Sequence, residues 1–132
     1  MGRRELRERI FLLLFRVEFN GPEDMPEQIR MFFEDDEVTY SEKDARYITG
    51  KYEGVVSRMA ELDSMLDEKS EGWDVKRMGK IELTILRLAL YEMNYDDDVP
   101  VSVAINEAVE LAKKFGQDTS GSFVNAILAK FA

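Results

Sequence analysis

Apolar side chains recur at the spacing of a helix face along almost the whole chain, and the alternation of a half-buried strand is nearly absent. In the first segment Leu6, Ile10, Leu13, Leu14 and Val17 follow the i, i+4, i+7, i+8, i+11 pattern of one buried face. "NGPEDMP" interrupts it, with Asn20-Gly21-Pro22 as the stop. A short helix is predicted around residues 26–33, with Ile29, Phe32 and Phe33 facing inward. The stretch from Thr39 to Leu66 reads as one long helix, with Ser41 as N-cap and Asp44 three residues on, as in a capping box. Its inner stripe runs through Ala45, Ile48, Tyr52, Val55, Val56, Met59, Leu62 and Leu66. Gly50 and Gly54 each cost that helix about 1 kcal/mol relative to alanine, which implies either a close helix–helix approach or a local bend. After "SEGWD", residues 80–91 form a strongly apolar helix through Ile81, Ile85, Leu86, Leu88 and Ala89. "SVAINEAVELAKKFG" gives another, stopped at Gly116 in the position expected just past a C-terminus. "DTSGSFVNAILAKF" gives the last, capped by Thr119 or Ser120. Six or seven helices and no sheet make this an all-α, bundle-like fold, and 132 residues fit a single domain.

The longest apolar run, residues 10–15, is far short of the roughly 20 residues a membrane helix needs, so no membrane partner is expected. It is also too short for a secretory core, and no small-residue cleavage site follows it. With no cysteine and no histidine, the chain lacks disulfides, thiolate nucleophiles, the usual zinc ligands and the commonest general base. No catalytic residue, metal site or cofactor is expected, and a carboxylate-pair hydrolase is the weakest of the functional readings.

Charge is unevenly placed. The first 16 residues carry five arginines against two glutamates, whereas the rest of the chain holds 13 basic and 25 acidic residues. A basic end on an acidic body points to a polyanionic partner. At about 100° per residue, Arg4, Arg7, Phe11 and Phe15 share one strip beside the core face, and Arg9 and Arg16 fall on the far side as solvated charges. Phosphates take the cations and unstacked bases the ring faces. Against this stands a plainer reading, in which Arg4–Glu8 and Glu5–Arg9 are helix-surface pairs and the two phenylalanines widen the core. Cations in a first turn oppose the helix dipole, so stability alone would not place them there.

"GQDTSGSF" offers a helix start, a natural anion site, with Phe123 one turn in; its plain reading is a cap with Phe123 in the core. It is not a nucleotide-binding P-loop, since no lysine follows the glycine. Trp73 reads as a packing anchor. Glu82, Arg87 and Glu92 interrupt the apolar helix and read as solvated charge, with pairing to Glu107 or Lys113 as the alternative. A charged face of this kind also holds protein partners in register.

The combination of "ILRLALYEM", "VPVSVAINEAVELAKKFG" and "SFVNAIL" resembles the NusB family of bacterial transcription antitermination factors. The likeness covers nearly the whole chain and is strongest over residues 81–128. It implies an all-helical fold of two small bundles packed roughly at right angles. It also implies binding of boxA-type single-stranded leader RNA jointly with the small-subunit ribosomal protein NusE, within the RNA polymerase antitermination complex of the cytoplasm. Carried over by position, the RNA-binding residues would be Arg3, Arg4, Arg7, Phe15, Asp118, Thr119, Ser120 and Phe123, and the protein-partner face would include Glu82. The chain departs from the family pattern in the glutamates at 5 and 8, in "FVNA" where "FVNG" is usual, in Ala129 for an acidic residue, and in Thr119 for a frequent aspartate. The competing reading is a helical interaction module, as a homodimer or a methyltransferase-associated NusB-like domain, with RNA binding incidental.

Overall fold

A computed structural model describes residues 1–132, which form seven α-helices and no strand. They are α1 (Arg3–Phe15), α2 (Met25–Phe33), α3 (Glu42–Ser57), α4 (Met59–Lys69), α5 (Lys80–Tyr95), α6 (Val101–Phe115) and α7 (Ser120–Ala129), with single 3-10 turns at Arg16–Glu18 and Val75–Arg77. The chain divides into two compact units, Met1–Gly54 and Val55–Ala132. No helix is long and apolar enough to cross a membrane.

In the first unit, Ile10, Leu13 and Leu14 of α1 are buried with Met25 and Phe32 of α2 and with Ile48 and Tyr52 of α3. The flanking Phe11 is only 1% exposed, so it widens the core face, as the plainer reading had it. Arg9 and Arg16 are not the solvated charges their spacing suggested. Arg16 is half-buried, donates from Nη1 to the Gln28 carbonyl and side-chain oxygen at 3.2 Å each, and lies 5.2 Å over the Phe32 ring. Arg9 is half-buried with its Nε fully covered. Burial pushes the neighbouring Tyr40 hydroxyl above its ordinary pKa, opposed by the Arg9 guanidinium to which it is hydrogen-bonded. Both arginines therefore fasten α1 to the segments that follow it. Ser41 caps as predicted, its Oγ accepting from the Asp44 N–H at 3.0 Å. The Asp44 carboxylate takes the Met1 ammonium at 3.1 Å, which pins the residues leading into α1 against α3.

The long helix predicted from Thr39 to Leu66 is two helices, broken at Arg58, whose backbone leaves the helical well at φ −114° and ψ 13°. The Arg58 N–H bonds one residue short, to the Val55 carbonyl at 3.1 Å. Its guanidinium sits 3.9 Å over the Tyr95 ring and 3.3 Å from Glu61, which also raises the Tyr95 pKa by accepting its hydroxyl proton in a hydrogen bond. Tertiary contacts to α5 thus stabilise a kink that local periodicity does not announce. The break leaves Val55, Leu62 and Leu66 in the core but turns Val56 outward, against expectation. Gly50 is exposed with open space around it, so no close helix–helix approach explains that glycine.

α5 carries the core of the second unit. Leu83, Ile85, Leu86, Leu88, Ala89 and Leu90 are all buried in a helix that meets α4, α6 and α7. Arg87 and Glu92 are buried too, which corrects the solvated-charge reading. Arg87 forms a two-pronged pair with Asp63 of α4, Nε to Oδ1 at 2.7 Å and Nη2 to Oδ2 at 2.8 Å.

Candidate nucleic-acid interface

On the first unit, Gly2 precedes α1 without side-chain capping, so Arg3, Arg4 and Glu5 form its first turn. Arg3 and Arg4 are exposed and Arg7 is half-buried. Arg4 and Arg7 also take part in interactions within the protein. Two cations therefore stand at the end of the helix where the backbone dipole disfavours them, typically by 0.3–1 kcal/mol each. Phe15, half-buried, stacks on Phe11 with centroids 5.8 Å apart and meets Phe19 edge-on at 5.1 Å. The row of rings thus climbs from the core to Phe19, which is 62% exposed. Phe19, four residues beyond Phe15, continues the same step and lies outside the residues expected from the sequence.

On the second unit, Asp118 and Thr119 are exposed in the turn before α7. Thr119 occupies the N-cap position but makes no side-chain cap bond. Ser120 is 4% exposed and its hydroxyl is engaged as both acceptor and donor: it accepts from the Gln117 N–H at 2.9 Å and donates to Glu82 Oε2 at 2.7 Å. Ser120 and Glu82, expected to face RNA and a protein partner respectively, are brought together, and the bond ties the start of α7 to the first turn of α5. Replacing Ser120 with alanine is expected to cost about 1.5 kcal/mol in urea unfolding, since one acceptor of the bond is charged.

Gly116 ends α6 in an extended conformation, φ −99° and ψ −161°, not the left-handed one its position suggested. Its reason is space. A Cβ there would lie 2.6 Å from Ser120 Oγ and 2.8 Å from the Ala112 carbonyl oxygen. Only glycine lets the turn fold this tightly, which is what carries the 117–120 segment to the start of α7. Gly121 and Ser122 lie in that first turn, where amides have no acceptor within the helix. The Lys113 stem crosses over Gly121, since an added Cβ would meet its Cγ at 3.5 Å. Phe123 is half-buried and meets Trp73 edge-to-face at 5.3 Å. Trp73, read as a packing anchor, is 47% exposed, with the Arg77 guanidinium 6.0 Å from its ring. Neither Trp73 and Arg77 nor Lys113 was singled out as part of a site, because their place beside Phe123 and Gly121 is set by tertiary packing.

Seven helices in this order with no strand are the architecture of a known all-helical class. The structure is similar to T. maritima NusB with a TM-score of 0.89 and 32% identity, covering 100% of this chain and 91% of that one. It is also similar in fold to a NusB solved in a complex of antitermination factors NusB and NusE with dsRNA, at TM-score 0.83 and 24% identity, covering 96% and 92% of the two chains. The chain belongs to the NusB family, whose model matches residues 4–132. The transcription antitermination protein NusB of Agathobacter rectalis is 50% identical over 100% of both sequences.

Proposed function

We propose that this protein is a cytoplasmic transcription antitermination factor that binds boxA-type single-stranded leader RNA together with NusE, within the RNA polymerase antitermination complex. It acts by binding and not by catalysis, and its 132 residues serve as one RNA-binding domain. Family membership supports the reading, and the complex of NusB and NusE with dsRNA formed on the same fold supports its RNA and NusE parts. One observation carries it for this chain: Arg3 and Arg4 stand exposed in the first turn of α1, where they cost helix stability. Arg3, Arg4 and Arg7 neutralise phosphates, Phe15 and Phe123 stack on bases, and the turn of Asp118, Thr119 and Ser120 presents the start of α7. Glu82 belongs to the partner-facing region by its match to the family pattern, and its carboxylate also holds Ser120.

The test is a salt titration of a boxA-like RNA and an anagram of it, each with and without NusE. Arg4→Ala/Arg7→Ala is expected to lower the slope of log K against log salt by about 1.4, at about 0.7 per lost phosphate contact, with helicity unchanged. An unchanged slope would remove α1 from the interface. Light scattering at saturating RNA separates the competing reading, in which a persistent homodimer covers this edge.

A further inference from the structure

We propose that Trp73, with Arg77 beside it, is a further stacking platform for an unpaired RNA base, continuous with Phe123; the inference rests on the RNA-binding reading above. A tryptophan serving only the core would be buried, whereas this indole is half in solvent. Nor is it left there loosely. The buried Ser70 donates its hydroxyl to the Trp73 carbonyl, and the Trp73 N–H returns to the Ser70 carbonyl at 3.2 Å. Asp67 Oδ1 accepts from the Val75 N–H at 2.7 Å, and Asp74 Oδ1 from the Arg77 N–H at 3.1 Å. Between Ser70 and Trp73 the backbone passes through positive φ at Glu71 (24°) and Gly72 (81°), and for the non-glycine residue that is a strained conformation. The fold thus spends hydrogen bonds and backbone strain on holding a large ring outward.

What surrounds the ring selects its occupant. Phe123 supports it edge-on, and the Arg77 guanidinium lies at the outer range of a cation–ring contact, with Nη1 also donating to the Gly72 carbonyl at 3.4 Å. Lys76 and Arg77 are exposed in the same 3-10 turn, while two carboxylates of the segment, Asp67 and Asp74, are occupied as caps and Glu71 lies 3.9 Å from Lys130. A flat aromatic surface flanked by cations suits a base with its phosphate.

Trp73 is the only tryptophan in the chain, so its emission reports this position alone. Titrating the full-length protein with a boxA-like single-stranded RNA is expected to quench that emission, saturating at the same concentration as the anisotropy of labelled RNA. Trp73→Leu keeps an apolar contact for Phe123 but removes the stacking face. It is expected to weaken RNA binding about 10-fold with the salt slope unchanged, because stacking releases no counterions, while Trp73→Phe restores most of the loss. Arg77→Ala should lower the slope by about 0.7. Emission that stays constant while anisotropy saturates would overturn the platform and leave the RNA-binding reading standing. A wild-type protein that binds the RNA no better than its anagram, with NusE present, would overturn both. A change in molecular mass for Trp73→Leu without a change in RNA affinity would assign the ring to a second copy of the chain, against the proposal.

Discussion

Replacing Asp63 with alanine is expected to lower the free energy of unfolding by about 3 kcal/mol, the largest effect of any single polar substitution in the second unit. The Arg87 side chain is only 10% exposed and that of Asp63 24%, and both prongs of the guanidinium are used. Removing the carboxylate takes the two-pronged partner from a buried cation and leaves part of its desolvation uncompensated. For a chain of this size the melting temperature should fall by roughly 10 °C. Urea unfolding gives the free energy, and an unchanged m-value would show that the loss is in the native state. The diagnostic comparison is Asp63→Leu/Arg87→Met. Two apolar groups of similar volume should recover most of the loss, because the pair is costly to break but of small net worth. If the double variant is as unstable as the single one, the pair is needed for packing and not for charge balance.

The second large effect is expected at Gly116. Alanine there must place its Cβ against Ser120 and the Ala112 carbonyl, at distances where a backbone oxygen cannot give way as a side-chain end can. The turn has to open, at about 2–3 kcal/mol. Because it delivers residues 118–123, the variant should also bind RNA more weakly at temperatures where it remains folded. A Gly116→Ala protein with wild-type stability would show that the turn has slack. Ser120→Ala, which removes Oγ from the contact but leaves Cβ at 2.7 Å, should relieve the clash only in part.

The helices were legible because each buries one stripe, and a stripe is a local property of sequence: α1, α2, α6 and α7 lie within a few residues of their expected spans, and α5 runs four residues past its expected end. What escaped depends on partners distant in sequence. The break at Arg58 is stabilised by Tyr95, 37 residues on, and the apolar stripe between Thr39 and Leu66 runs through it without interruption. Arg87 looked like a surface charge because its counterion lies 24 residues upstream. Arg9 and Arg16 lie on the far side of α1 from Arg4 and Phe11, yet other segments fold over them. Of the site residues, Arg3, Arg4, Asp118 and Thr119 are exposed, and half-buried Arg7, Phe15 and Phe123 offer less surface. Ser120 was placed at the right helix start, but its hydroxyl points to Glu82. Trp73 misled because a lone tryptophan near a helix start is usually interior, and only the turn through Glu71 and Gly72 explains why this one is not.

The Glu82–Ser120 bond bears on how a transcript would be held. A helix start ordinarily draws anions because its exposed amides and dipole form a patch of positive potential. Here α7 arrives with a resident counter-charge, a carboxylate 2.7 Å from its first side chain, so that patch is already partly neutralised from within. The pull on an incoming phosphate at this end is accordingly weaker than a bare terminus would exert. On the proposed reading, attraction at long range falls mainly to Arg3, Arg4 and Arg7 of the opening helix, and the electrolyte sensitivity of the whole complex should track their number.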